Sequence, residues 1–295
     1  MARHIRIPGL IDLVLADDPA DIRALDDNPR IDRRFVGRGP FINRMIVARL
    51  RRWFQIGGAL MPSFLPRGDG ERAERQNALT DRLSPTNARL WSEAQLDRLA
   101  RFVRGEGGRD DAAVVVQEIV GRLFFADYVA DRASWEAAER IDELNAGISL
   151  SQIIALVSGQ ARKARKLLVE RARNDRWAMH GTAIGVHGIV HALERMRALR
   201  PTPEAAALGD DAVLARCLRP PRQAPRTVEA PLSSPSAGEL QPGAMILLRL
   251  ERAWPPAPDA EMIFMRGHWN ACPAAEFVAA LLLAVWRRAA EDGRS

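Results

Sequence analysis

Apolar positions recur at helical spacing along most of the chain. A period of three to four residues runs through 44–57, 92–104, 111–126, 134–145, 150–173, 178–198, 203–217 and 274–291, and each stretch predicts an amphipathic or buried helix. Ser92 and Ser134 stand as N-cap neighbours, with Glu close behind each. The period breaks between 218 and 243, a stretch with six prolines that reads as ordered irregular chain with short strands. Met245–Leu250 is continuously apolar apart from Arg249 and predicts a buried strand. Residues 62–73 read as a Pro- and Gly-containing loop. No internal repeat appears.

Length sets the scale of the core. A chain of 295 residues buries roughly 75% of its unfolded surface. Arg dominates the basic residues, the only lysines being Lys163 and Lys166, and the net charge is +6. That excess favours an acidic partner. Two runs concentrate it: Arg49, Arg51 and Arg52 ahead of Trp53 and Phe54, and the basic helix 160–174. Such runs suit nucleic acid or a membrane surface. Acidic residues are interspersed through the chain as a whole, which favours solvated helix faces, and no nucleic-acid motif supports a nucleic-acid partner. Two cysteines, 217 and 272, make no disulfide framework. The N-terminus lacks a signal-peptide core, and the apolar run 277–286 is too short to span a bilayer. A reducing, cytoplasmic compartment and no membrane partner are the expectation.

Two places carry candidate chemistry. The first is Phe264-Met-Arg-Gly267-His268-Trp-Asn-Ala-Cys272-Pro273, directly ahead of the last helical pattern. With Pro273 at the first helical position, the helix would turn its N–H groups towards the sulfur and favour the thiolate. The alternative for Cys272 is a buried, inert thiol. The second is the stripe His180, His187 and His191, spaced by seven and four, beside Gly181, Gly185 and Gly188. The histidines lie within roughly 40° of one another on a helix. Repeated mid-helix Gly points to something flat or bulky near the backbone. Satisfied core histidines, or a non-haem metal site with Glu194, are the competing explanations.

The cysteine segment resembles the haem-binding loop of the cytochrome P-450 family, Phe-x-x-Gly-x-Arg/His-x-Cys-x-Gly, with one residue inserted and Ala274 in place of the last Gly. The order of upstream fragments agrees. Leu214–Val228 resembles the end of the family's helix K and the strand entry after it, Leu240–Arg249 its Pro-x-Gly strand, His191–Glu204 the end of helix I and start of helix J, and Asp12–Arg23 its opening strand and helix B. The resemblance implies a mainly α fold with small β-sheets, formed as a single domain over 1–295 with a compressed lid between about 120 and 180. It implies a haem cofactor with Cys272 as iron ligand, Arg226 and His268 on the propionates, and Phe264 and Gly267 in the haem loop. His187 falls where the family has its oxygen-activating Thr, which makes it the candidate acid or base. The implied activity is oxygen- or peroxide-driven oxidation of a small apolar organic substrate, with a ferredoxin-type or other acidic redox partner. The chain departs from the family at helix K, where Val213 or Leu214 occupies the Glu position of Glu-x-x-Arg and Arg216 or Cys217 the Arg position. A catalytically degenerate scaffold of the same fold, and a basic helical nucleic-acid binder, are the alternatives.

Overall fold

The computed structural model describes residues 2–35, 37–84, 91–145, 159–254, 263–265, 269 and 271–291. The chain gathers into two compact units. Unit 1 combines Met1–Glu74 with Pro220–Cys272, and unit 2 combines Arg75–Arg219 with Pro273–Ser295.

Unit 1 holds the sheets. β1 (Arg3–Ile7) and β2 (Ile11–Ala16) form a hairpin with Arg3 opposite Leu15 and Ile7 opposite Ile11. β2 lies parallel to β9 (Met245–Leu248), with Leu13 beside Met245. β6 (Ala224–Val228) and then β3 (Ile31–Asp32) continue the sheet, in the order β1-β2-β9-β6-β3. β4 (Gln55–Ile56) pairs β5 (Ala59–Leu60), and β7 (Leu232–Ser234) pairs β8 (Gly238–Leu240). β9 is central and therefore apolar, as its sequence predicts. Val14, Ala16, Ile246 and Leu248 meet Ile22 and Leu25 of α1 (Pro19–Asp27) in the unit's core. Asp18 caps α1 by accepting from the Ala20 and Asp21 amides, and Pro19 follows it at the first helical position.

α2 (Phe41–Phe54) is tied to this sheet by a close backbone approach. Gly39 and Gly243 both have positive φ, and a Cβ on either would come within 2.5 Å of the other's backbone. Asn43, fully buried, donates to the Gly243 and Asp12 carbonyls.

Unit 2 is helical: α3 (Gly70–Arg82, which starts in unit 1), α4 (Glu93–Val103), α5 (Arg109–Arg122), α6 (Arg132–Asn145), α7 (Gln160–Arg171), α8 (Arg176–His180), α9 (Val186–Leu199), α10 (Asp210–Cys217) and α11 (Ala275–Glu291). Leu99, Val116, Ile119, Ile141, Leu193, Leu281 and Val285 are among its fully buried side chains.

Several sequence expectations are corrected. Ser92 does cap α4, but its capping-box partner is Gln95. Ser134 lies inside α6 and exchanges hydrogen bonds with Asp131, the residue that precedes the helix. The predicted helix over 203–217 divides into a 3-10 turn at Pro203–Ala207 and then α10, because Gly209 provides a second start. The predicted loop over 62–73 contains the beginning of α3. Part of the predicted helix 150–173 lies outside the described residues.

Candidate haem-binding site

The cysteine loop is closed at its neck. The Cys272 amide donates to the Phe264 carbonyl at 2.8 Å, and Met265 reverses the chain with φ +51°. Cys272 is exposed, unlike Cys217, whose thiol burial pushes up to about 11. Pro273 stands two residues ahead of the first helical residue, Ala275, whereas the sequence predicts it at that position. The first helical bond of α11 runs from Val278 to the Ala274 carbonyl, which makes Ala274 the cap. Gly267 and His268 lie outside the described residues.

Trp269, three residues before the cysteine, anchors the loop. Its indole N–H donates to the Asp26 carbonyl at 3.2 Å. Four guanidiniums surround its ring, with centroid distances of 5.1 Å for Arg33, 4.9 Å for Arg67, 4.9 Å for Arg72 and 5.7 Å for Arg226. Arg226 is 1% exposed and Asp26 0%, and they pair at 2.6 Å. Asp32, 5% exposed, accepts from the Arg33 and Arg67 amides. Arg67 also donates to the Asp26 carbonyl, and Arg72 to the Leu65 carbonyl.

Cations outnumber the buried carboxylates here. Burial first, then repulsion from Arg226 and Arg72, holds Arg33 well below the usual guanidinium value. Burial, then repulsion from Arg226, lowers Arg72 too. Burial lowers Arg226 as well, although Asp26 opposes the shift. The Nε atoms of Arg67 and Arg72 are buried without a hydrogen-bond partner. Buried donors are normally satisfied, so orphaned ones beside surplus charge mark a place for an anion. The sequence reading named Arg226 and missed Arg33, Arg67, Arg72 and Trp269. Arg226 proves to be the member of the cluster that Asp26 already neutralises.

The histidine helix has a different character. The predicted helix 178–198 appears as α8 and α9 joined by a π turn, Gly181–Gly185, in which the Val186 amide reaches five residues back to Gly181. Gln117, fully buried, donates to the Thr182 carbonyl of that turn at 2.9 Å and accepts from the Ser134 hydroxyl at 2.6 Å. A Cβ on Gly181 would press on Val120 near the C-terminal end of α5 and on Phe124 just past it, whereas Gly185 and Gly188 are exposed. His187 does not share that open side. It is 5% exposed, its ring 4.9 Å from that of Trp135 and its Nε2 3.2 Å from the Ala138 carbonyl. Burial is the main reason its pKa is lowered. Its surroundings are those of a packed, neutral imidazole. His191 instead bonds Glu194 at 2.8 Å, and Arg109 bonds the same carboxylate at 2.6 Å. Burial would raise Glu194, but His191 and Arg109 outweigh it and lower its pKa. Among the described residues no group of three His, Cys, Asp or Glu side chains is placed to hold a metal, so the non-haem set with Glu194 does not form.

Helix α10 carries the expected departure. Arg216 is 48% exposed and pairs with Glu204 at 3.3 Å, and Val213 and Cys217 are fully buried.

No protein-family model and no curated protein matches the sequence. Solved structures do match. CYP175A1 from Thermus thermophillus superposes with a TM-score of 0.60 at 19% identity, over 98% of this chain and 83% of that one. The haem domain of cytochrome P450DA gives 0.61 at 13% identity, over 97% and 82%. A single-residue variant of cytochrome P450 OleT, in complex with arachidonic acid, gives 0.61 at 11% identity, over 97% and 82%. The fold is therefore that of the cytochromes P450, mainly helical with small sheets, in a chain shorter than these three. Among the described residues, no helix is long and apolar enough to cross a membrane.

Proposed function

We propose that the chain is a haem-thiolate oxidoreductase with Cys272 as the iron ligand. The observation that carries this reading is the cysteine loop itself. An exposed thiol ends a loop that Trp269 fixes to a buried excess of arginines, two of them with orphaned Nε donors. A haem-thiolate site takes one thiolate and partners for two carboxylates, and the exposed thiol and the arginine cluster of unit 1 suit those roles. Arg67, Arg72 and Arg33 would receive the propionates, with Arg226 and Asp26 as the paired floor beneath them. His268 and Gly267 lie between Met265 and Trp269 in the sequence and are proposed partners of the same cofactor, and the Phe264 carbonyl accepts from the Cys272 amide. Held by Cys272, a haem iron would supply oxidative chemistry, with the thiolate's electron density favouring O–O cleavage.

The substrate class is a small, largely apolar organic molecule, and the basic chain suits an acidic, ferredoxin-type electron donor. His187 is not carried forward as the catalytic acid or base. Its ring is packed against Trp135, and burial disfavours its charged form. Peroxide is accordingly the oxidant to try first. A second reading, a degenerate scaffold of the same fold, is favoured by the helix α10 departure, where Arg216 turns to Glu204 at the surface instead of joining a buried pair.

Titration of the purified protein with haem tests the proposal. Stoichiometric uptake that is lost in Cys272→Ala and kept in Cys217→Ala supports it. Equal uptake by wild type and Cys272→Ala contradicts the ligand assignment. Uptake without oxidation of any substrate by peroxide or a reduced ferredoxin would favour the scaffold.

A further inference from the structure

Five large hydrophobic side chains are exposed among the described residues, and four of them share one corner of unit 1. Ile7 and Leu10 lie at the β1–β2 turn, 50% and 42% exposed, and Phe41 and Met45 lie one turn apart on α2, 53% and 56% exposed. The two elements are stitched together there. The Phe41 amide donates to the Gly9 carbonyl at 3.0 Å, and the Ile42 amide to the Leu10 carbonyl at 2.8 Å.

The rim of this corner is basic. From Arg33 to Gly68 the chain has eight arginines and no acidic residue. Arg44, Arg51 and Arg52 of α2 are exposed, as are Arg6 and Arg38 nearby in sequence. On α2 the positions 41, 45 and 48 form an exposed apolar stripe at helical spacing, with Arg44 and Arg51 on its flank and Arg52 at its end. The opposite face, with Asn43 and Val47, is buried in unit 1.

We propose that this corner is a peripheral docking surface for an anionic lipid bilayer. An apolar stripe bordered by cations on a surface helix is the arrangement that partitions into the headgroup boundary, where arginine stems extend along the apolar side and their heads stay with the phosphates. Phe41, Met45, Ile7 and Leu10 enter the interface, and the arginines supply the electrostatic attraction to anionic headgroups. A second copy is the poorer occupant, because a two-fold contact would set the same basic rim against itself. The basic run 49–52, weighed in the sequence as a solvated face, thereby acquires a partner that requires no spanning helix. The proposal is independent of haem binding.

Vesicle flotation of the full chain tests it. Recovery is expected with vesicles of phosphatidylcholine and phosphatidylglycerol, and little with phosphatidylcholine alone. Arg44→Gln and Arg51→Gln should each lower partition about fivefold, and the pair Phe41→Ser and Met45→Ser about tenfold or more. Val129→Ser, an exposed apolar residue of unit 2, should leave it unchanged. Circular dichroism and Tm should show each variant folded, as expected for exposed positions. Absence of flotation overturns the proposal. Flotation that the serine pair leaves intact, or equal binding to soluble polyglutamate, reduces the corner to a charge patch and overturns it too. A dimer in sedimentation that the serine pair dissolves would assign the surface to a second copy.

Discussion

Asp26 holds two jobs in unit 1. Its carboxylate neutralises Arg226, and its carbonyl takes the Trp269 and Arg67 donors that fix the cysteine loop to the arginine cluster. Asp26→Asn leaves Arg226 buried without its counter-charge, so urea unfolding should show a loss of about 3–5 kcal/mol. Arg72→Met should behave oppositely in the two states. Apo stability should stay within about 1 kcal/mol of wild type or rise, because a repelled, buried cation has gone. On the proposed assignment, haem affinity should fall about tenfold or more, because the charge-assisted partner proposed for a propionate has gone. His187 gives a pH signature. Its folded pKa lies below the ordinary imidazole value of about 6.5, so the unfolded chain binds the proton more readily. Its contribution to stability is full above about pH 6.5 and is lost as pH falls through the folded value. The Tm of His187→Gln should therefore decline less than that of wild type from neutral pH downward. At this scale the sequence could put forward Cys272 and Arg226, because each sits in a recognisable local run. Arg33, Arg67, Arg72 and Trp269 come from loops and a helix start far apart in the chain, and only tertiary packing brings them to one ring.

At the scale of elements, the π turn is where helix propensity and packing diverge. The sequence predicts one continuous helix over 178–198, and the glycines read as room for a flat ligand. In the fold Gly181 accommodates Phe124 and Val120, and Gln117 satisfies the Thr182 carbonyl. Gln117→Leu should cost about 1–3 kcal/mol in chemical denaturation, because buried acceptors lose their donor. Helices with a strong apolar period, such as α4, α5 and α11, were readable to within a few residues. α3 was not, since Gly70–Arg82 has Ala73, Ala78 and Leu79 as its only apolar side chains and offers little period. The start of α6 was misread for a simpler reason. Asp131 and Ser134 are both good capping residues, and the exchange of hydrogen bonds between them decides which one precedes the helix.

For the whole molecule, the chain passes between the two units at 74–75, 219–220 and 272–273, so neither unit is a continuous segment. We propose that 1–295 behaves as a single folding domain. Calorimetry should show one unfolding transition, and two separate ones would contradict this. Bound haem should raise Tm in a concentration-dependent way. The fold class was legible because the family fragments follow one another in the right order, even though identity to the three solved structures stays at 19% or below. The proposed activity rests on the ligand. The reduced, carbon-monoxide difference spectrum of the haem-loaded protein is the most direct test. A red-shifted, thiolate-type Soret band that disappears in Cys272→Ala is the predicted result. A haem-loaded wild type without that band, or a band that persists in Cys272→Ala, would contradict the account.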